Sequence, residues 1–262
     1  MNKFEPIISN IEELDSLIGG FFPGEVTVIG SRPATGKSSF LLALIKQITW
    51  ISGVPGLFFS VEIPSEYIYN RLASSMSGIP TFKIRDARLL NEDEKVIVNQ
   101  LKKQIQSLPL IINDKPDLNI FELCKEAREL HKSKGIKIIY IDYLGLIKTD
   151  NDNQPIYEQV TFVIRKLKVL ARELNIPIII TCQVARSAQG QLPQLQDLRG
   201  SGEVEAISDV IMLLHVNTRN SSNSLPAKLI VAKNHYGKLG TFNMTFLREI
   251  LTFKSEDFMR SY

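Results

Sequence analysis

The sequence predicts an α/β fold in which a mostly parallel central sheet is flanked by helices on both faces. Five short apolar runs are rich in β-branched and aromatic residues and lack polar alternation, as is typical of strands buried on both faces. They cover residues 25–30, 56–62, 108–114, 136–144 and 176–183. Amphipathic segments separate these runs. The alternation of strand and helix predicts βαβ units and a doubly wound sheet.

Two of the intervening segments show apolar residues at helical spacing. The clearest predicted helix covers residues 157–174, and Asn175 and Pro177 follow it as end signals. Its apolar stripe consists of Val160, Val163, Ile164, Leu167, Leu170, Ala171 and Leu174. A second predicted helix covers residues 91–108. Its stripe consists of Ile97, Leu101, Ile105 and Leu108.

Beyond residue 208 the pattern changes to strands without helices between them. These predicted strands cover residues 209–216, 227–234 and 240–247. Residues 235–240 resemble a hairpin connection, and residues 217–226 form a polar loop. We therefore expect antiparallel strands at the C-terminal edge of the same sheet. Since no linker interrupts the pattern, residues 1–262 are expected to form a single domain.

Composition excludes several classes of protein. The 262 residues are 44% hydrophobic and 23% charged, unlike a disordered or collagen-like chain. No apolar run approaches the roughly 18 residues of a membrane span, and the N-terminus lacks the pattern of a secretory signal. We therefore expect a cytoplasmic protein. Cys124 and Cys182 form no C-x-x-C pair, which argues against a disulfide framework or a cysteine zinc site. The net charge of +3 permits nucleic-acid binding without arguing for it.

A phosphate-binding loop is predicted where a strand leads into a helix. Gly36-Lys37-Ser38 ends the loop: backbone amides there cradle phosphates, Lys37 reaches the β- and γ-phosphates and Ser38 binds Mg²⁺. The strict motif has glycine where Ser31 stands, and Gly30 comes one residue early. An ordinary strand-to-helix turn is the alternative, which the strand–loop–helix context disfavours. The predicted nucleotide-binding residues of the loop are Ser31, Arg32, Pro33, Ala34, Thr35, Gly36, Lys37, Ser38 and Ser39.

Three other predicted strands end in polar side chains. Asp142 suits a second Mg²⁺ anchor, because a buried lone acid is costly without a partner; the alternative is a carboxylate capping the next loop. Glu62 can accept a proton from attacking water, or serve only as an acid at a helix start before Pro64. Gln183 can bind a γ-phosphate and report its loss, or be a simple polar strand end. Since ligands bind at the carboxyl edge of open α/β sheets, we expect these side chains to meet.

These segments, in this order, resemble the RecA-like ATPase domain of the DnaB family of replicative DNA helicases. The segment SRPATGKSSF is similar to the family's phosphate loop, and FFSVEIP to the motif that carries its catalytic base. IIYIDYLGLI is similar to the Walker B strand, and TCQVARS to the sensor motif. DLRGSGEVEAISDVIMLL resembles the DNA-loop motif, and AKNHYGKLGTFNMTF the terminal motif. The resemblance runs from about residue 8 to about residue 253.

The resemblance implies a RecA-like P-loop NTPase that hydrolyses ATP with Mg²⁺ between the subunits of a homo-hexamer and moves on single-stranded DNA. It also implies a helicase loader as a partner and no membrane. The implied catalytic residues are Glu62, Lys37, Gln183 and His235. Asp142 and Lys233 join the nucleotide-binding set, and Ser38 and Asp142 are the implied metal ligands. The implied DNA-binding residues are Arg199, Gly200, Ser201 and Gly202.

The sequence departs from the family's pattern at three points. His235 stands where the family has the arginine finger that reaches a neighbouring subunit's γ-phosphate. A histidine is shorter than arginine and largely neutral at pH 7, so hydrolysis is expected to be weak unless Arg219, Lys238 or another base substitutes. Gly200 replaces a glutamate of the DNA loop. The family's N-terminal collar domain and linker helix have no counterpart in these residues.

Other interpretations stay open at this point. A recombinase-like ATPase would share the fold, and a ring that binds nucleotide and DNA but scarcely hydrolyses would suit His235. Residues 185–202 are long and rich in glutamine, so without the resemblance they would indicate a surface loop.

We expect Arg199→Ala to weaken binding of single-stranded DNA similarly across sequences. Each phosphate contact contributes about 0.7 to the salt dependence of single-strand binding, so the slope should flatten by that amount. Fluorescence anisotropy over a salt series measures both quantities. An unchanged slope and affinity would reduce residues 185–202 to a surface loop.

Overall fold

The computed structural model describes residues 5–150, 154–184, 192–198, 201–218 and 222–255. The helices in these ranges are α1 (Glu12–Ile18), α2 (Lys37–Ile45), α3 (Ser65–Ser77), α4 (Thr81–Arg85), α5 (Glu92–Gln106), α6 (Ile120–Lys134), α7 (Ile156–Leu174) and α8 (Ser201–Ile207). The strands are β1 (Val26–Ser31), β2 (Gly56–Ser60), β3 (Leu110–Asn113), β4 (Ile138–Asp142), β5 (Ile178–Gln183), β6 (Val210–Val216), β7 (Ser224–Asn234), β8 (Gly240–Leu247) and β9 (Thr252–Ser255).

The described strands form one sheet in the order β3-β2-β4-β5-β1-β6-β7-β8-β9. The pairs from β3 to β6 are parallel, and β6 to β9 are antiparallel. This confirms the predicted mostly parallel sheet with antiparallel strands at its C-terminal edge. β1 lies between β5 and β6 near the middle of the sheet, so the loop that follows it opens at the centre of the carboxyl edge.

The central strands are apolar along their length because helices cover both faces. Every residue of β1, β2 and β4 is buried. One core cluster lies on the face covered by α1, α2, α3 and α5 and contains Phe40, Leu72 and Tyr140. The other lies on the face of α6 and α7 and contains Leu123 and Leu167. Since no strand face meets solvent there, polar alternation would place polar groups in a core.

Two sequence predictions, one for a helix and one for a strand, need correction. The helix predicted over residues 91–108 is α5, which begins after a capping box between Asn91 and Glu94. Its predicted buried stripe was wrong at Ile97, which is 44% exposed, whereas Val98 is 3% exposed. Both residues are apolar, so only the packing against α3 decides which of them faces the core. The strand predicted over 227–234 begins at Ser224, within the predicted polar loop.

β9 was not predicted, because its four residues carry too weak a pattern, yet it pairs with β8 and packs on α2. The Phe253 ring stacks on Phe246 of β8 with centroids 4.6 Å apart, and it meets Phe40 of α2 edge-on at 5.5 Å. Such aromatic pairs stabilise beyond their buried area by about 0.5–1.5 kcal/mol. β9 therefore supports the start of α2 from the antiparallel edge.

Candidate functional site

The loop between β1 and α2 has the backbone conformation of a phosphate cradle. Ala34 and Gly36 both have positive φ values, 60° and 87°. When right-handed and left-handed backbone conformations alternate, successive backbone amides point toward one position, where they can bind an anion. A Cβ on Gly36 would lie 2.9 Å from the Phe253 ring, so both the φ value and the space require glycine. The Thr35 hydroxyl donates to the Arg32 carbonyl at 2.7 Å and braces the turn.

Gly30 is needed for packing in β1. It is therefore not a displaced first glycine of the phosphate-loop motif, whose position Ser31 occupies. It lies within β1 and is buried. A Cβ there would come within 2.5 Å of Leu198 and 2.9 Å of Leu213. The glycine lets the segment ending at Leu198 approach the sheet. Ser31 is buried and its hydroxyl donates to the Arg32 carbonyl at 3.2 Å.

Lys37 and Asp142 form a buried ion pair beneath the loop. The Lys37 Nζ lies 3.6 Å from the Asp142 Oδ1, and their side chains are 9% and 1% exposed. The ammonium also lies 3.9 Å from the centre of the Tyr143 ring. The Thr181 hydroxyl donates to the same Oδ1 at 2.5 Å. Thr181 of β5 and Lys37 of α2 therefore hold the Asp142 carboxylate in place.

The second oxygen of Asp142 is the feature that fits a metal. Asp142 Oδ2 is buried and accepts no hydrogen bond from the residues that the structure describes. An unsatisfied buried carboxylate oxygen is costly, and carboxylates and hydroxyls are the ligands that Mg²⁺ takes, usually together with substrate phosphates. Ser38, at the start of α2, lines the cavity above this point. The donor set of Ser38 and Asp142 thus fits Mg²⁺.

A cavity of about 460 Å³ opens above the phosphate loop and brings most of the predicted residues together. Glu62, Gln183 and Lys37 all line it. Register explains this meeting, because Ser31 pairs with Gln183 and Ser60 pairs with Asp142 across parallel strands. Their carboxyl ends therefore meet at one edge, as predicted.

Two arginines line the same cavity and were not predicted. Arg71 comes from α3 and Arg248 follows β8. Burial lowers the pKa of the Arg71 guanidinium, while the nearby carboxylates of Asp142 and Glu62 act in the opposite direction. In the sequence Arg71 is one basic residue in an amphipathic helix. Arg71 follows the buried Ile68 by three residues, so it lies at the border of the helix face that meets the core. This spacing is the sequence feature that could have indicated that Arg71 enters the cavity.

The structure does not bring Lys233 and His235 to the phosphate loop of their own chain. β7 runs antiparallel to β6, so its C-terminal end lies at the opposite edge of the sheet. The Lys233 ammonium donates to carbonyl oxygens at the end of α8. The exposed His235 stacks on Tyr236 with ring centroids 4.9 Å apart, and its amide donates to the Asp209 carbonyl at 3.0 Å.

Half of the predicted DNA-binding residues can be located. Arg199 and Gly200 lie outside the described residues, as does Arg219. Ser201 and Gly202 begin α8. An isolated bridge between Val184 and Leu198 joins the two ends of the segment that follows Gln183. Val184 and Leu198 are therefore paired directly after Gln183, which lines the cavity.

This arrangement, a phosphate loop after a central strand and a buried acid at the tip of a neighbouring one, is typical of the RecA-like class of nucleotide-binding domains. Residues 7–255 match the DnaB-like helicase C terminal domain family. The chain belongs to that family.

Curated relatives agree with this assignment. The chain is 38% identical over 240 residues to the replicative DNA helicase DnaB of Treponema pallidum (strain Nichols), covering 92% of this chain and 54% of the relative. It is 33% identical over 240 residues to the DnaB of Leifsonia xyli subsp. xyli, covering 89% of this chain and 52% of the relative. The chain thus spans about half the length of these relatives.

Solved structures confirm the RecA-like fold. A structure described as an ATPase domain superposes with a TM-score of 0.87 at 27% identity, covering 95% of this chain and 91% of that one. A DnaB-like replicative helicase, described with its interactions with primase, gives 0.86 at 27% identity, covering 95% and 61%. A KaiC-like protein from Pyrococcus horikoshii is similar in fold alone, with a TM-score of 0.66 at 19% identity over 96% and 99%.

Among the described residues, no helix is both long and apolar enough to cross a membrane.

We expect Lys37→Ala to abolish nucleotide-dependent activity and to lower ATP affinity, because the phosphates lose a point charge at the loop. Calorimetric titration with ATP and Mg²⁺ measures the affinity. Lys125→Ala removes the same charge from an exposed position on α6 and serves as the control. Binding and turnover at parent levels in Lys37→Ala would contradict the assignment of the loop. Because Asp142 would lose its buried cation, urea unfolding should accompany the titration to show that the variant is folded.

Proposed function

We propose that this chain is an ATP-dependent DNA helicase motor domain of the replicative DnaB type, which couples ATP hydrolysis between the subunits of a homo-hexamer to movement on single-stranded DNA. The observation that carries the proposal is the single cavity that joins Lys37, Glu62 and Gln183 above the buried Asp142. Membership of the DnaB-like helicase family supports the same function.

In the proposed reaction the chain binds the phosphates through the loop amides and Lys37. Ser38 and Asp142 would hold Mg²⁺, which supplies neutralising charge on the phosphate oxygens. With nucleotide and metal bound, Lys37 would contact the phosphates and Asp142 would bind the metal, so these contacts would replace the ion pair between Lys37 and Asp142. Each buried charge would therefore have a partner of opposite charge both before and after the ligands bind.

Glu62 is the proposed base of this reaction. Water attacks the γ-phosphorus, a new P–O bond forms, the bond to the β-phosphate oxygen breaks, and the water's proton passes to the Glu62 carboxylate. Glu62 is exposed at the cavity wall two residues beyond β2. Because it is not held in the buried layer, it can meet a water molecule above the phosphates. Arg71 lies on the following helix, α3, and lines the same cavity. Its positive charge is close to the carboxylates of Glu62 and Asp142.

Gln183 is the proposed link from phosphate to DNA. It is the last residue of β5, and Val184 directly after it bridges to Leu198. A change in the amide's contact with a γ-phosphate would reach the residues proposed to bind single-stranded DNA, Arg199 to Gly202, over a short path. Contacts between these residues and the DNA phosphates would position the single strand without reading its base sequence.

The location of His235 supports a ring. It lies at the sheet edge opposite the phosphate loop, so within one chain it cannot serve that loop. A head-to-tail assembly would place this edge against the next subunit's cavity. His235 is then the residue proposed to take the position of the family's trans-acting cation.

The function is tested by steady-state ATP hydrolysis with and without single-stranded DNA. Turnover that rises with DNA supports the motor. Nucleotide and DNA binding with negligible turnover under both conditions would instead identify a binding ring.

We expect Glu62→Gln to keep ATP affinity and lose turnover by about 10²–10⁴-fold, because an amide still forms hydrogen bonds but accepts no proton. Comparing the dissociation constant with kcat separates the two effects. Glu66→Gln, exposed in the first turn of α3, is the matched control. A large loss of affinity at normal kcat would make Glu62 a structural acid.

We expect His235→Arg to raise turnover, since a trans-acting arginine is worth about 10³–10⁵ in rate where it operates. The assay uses high protein concentration with single-stranded DNA, because the group acts only across an interface. Tyr236→Arg adds the same charge one residue later and controls for charge alone. An assembled ring in which His235→Arg gives no gain beyond that of Tyr236→Arg would contradict the placement of His235 at the interface.

A further inference from the structure

The ammonium group of Lys233 lies at the carboxyl end of α8. Its Nζ donates to the carbonyl oxygens of Glu205 at 2.5 Å and Ser208 at 2.8 Å, and the Ala206 carbonyl oxygen is 3.5 Å away. The last carbonyls of a helix have no partners within it, and a lysine there also interacts favourably with the helix dipole. Lys233 is therefore the side-chain cap of α8, supplied by a strand distant in sequence.

A β-bulge turns Lys233 toward this helix. Ile211 pairs with Lys233 while Met212 pairs with Val231, so Ala232 is an extra residue in β7. Ile211 belongs to the core cluster beneath α7, whereas Met212 and Val231 belong to the cluster on the other face. Regular alternation would put Lys233 on the face of Val231, away from α8. Bulges re-aim side chains in this way.

α8 needs contacts of this kind. It has seven residues, and isolated helices of that length are unstable in water. Val204 anchors its middle in the core beneath α7. The ion pair between Glu203 and Arg165 is 2.7 Å long but exposed, so it contributes little. The half-buried Lys233 holds the carboxyl end.

A second contact joins the same two segments. The His235 amide donates to the Asp209 carbonyl at 3.0 Å. Asp209 is itself fixed, because its carboxylate accepts from the Val26 amide at 2.7 Å and from Lys168 at 2.6 Å. The end of β7 therefore contacts the chain between α8 and β6 twice, through the Lys233 ammonium and the His235 amide. These contacts join the hairpin to the end of α8.

We propose that Lys233 is a positioning residue that caps α8 and thereby couples the hairpin carrying His235 to the segment at the start of α8, Ser201 and Gly202. The coupling rests on the proposed function, in which that segment contacts single-stranded DNA and His235 faces a neighbouring subunit. This role differs from the nucleotide contact that the resemblance implies for Lys233. Its ammonium is engaged by three carbonyls of its own chain, so a shift of the hairpin toward a neighbour's phosphates pulls on α8.

The cap is tested first without nucleotide or DNA. Hydrogen exchange followed by mass spectrometry compares the parent chain with Lys233→Met, which keeps the apolar stem and removes the donors. We expect amides in a peptide spanning residues 201–209 to exchange about tenfold faster or more, because charge-assisted hydrogen bonds are lost. Lys233→Arg keeps donors and should retain protection. Lys228→Met removes the same charge from an exposed site on β7 and is the matched control.

The coupling is then tested with a fluorescein-labelled thymidine oligonucleotide. We expect Lys233→Met to weaken binding about tenfold relative to Lys228→Met, with an unchanged salt slope, because Lys233 positions the segment without touching a DNA phosphate. A flattened slope would make Lys233 a direct DNA contact and overturn the proposal.

Unchanged exchange in Lys233→Met would also overturn it, and would return Lys233 to the role of a trans nucleotide contact, which needs nucleotide to show an effect. Failure of the parent chain to bind the oligonucleotide would sink the proposed DNA function and the coupling with it. The exchange experiment would still show whether Lys233 caps α8, so the two failures can be told apart.

Discussion

The burial of β1 on both faces and both edges is the constraint on which the site depends. β5 and β6 pair with it in parallel, and helices cover it above and below. The loop that follows β1 therefore begins between the carboxyl ends of β5 and β6. The phosphate loop, Gln183 and Asp142 meet there because parallel strands end at one edge.

The opposite edge of the sheet has a complementary organisation. Antiparallel pairing of β6 and β7 returns the chain to that edge, where Asp209, Lys233 and His235 lie. Burial, with Asp209 as a second cause, raises the pKa of Glu25 at this edge to about 7. The molecule thus presents the cavity of the phosphate loop at one edge and a charged hairpin at the other, the polarity that the proposed head-to-tail ring would use.

Sequence patterns predicted the parallel strands and the residues at their tips well, because both follow from local chemistry. A strand buried on both faces must be apolar, and a loop that cradles phosphate needs Gly36 and Lys37 in order. Patterns failed where two apolar neighbours compete for one core position, as with Ile97 and Val98. They also failed for β9, whose four residues are ordered by pairing with β8 and by the contacts of Phe253 rather than by periodicity.

The sequence by itself determined the α/β fold class, the phosphate loop and the acidic and amide residues at the strand ends, since each depends on contiguous residues. Only the tertiary structure decided that Arg71 enters the cavity, that Asp142 keeps a buried oxygen without a partner among the described residues, and that Lys233 caps α8. Each of these depends on segments far apart in the chain. A single bulge at Ala232 selects the face on which Lys233 lies, and no local pattern records it.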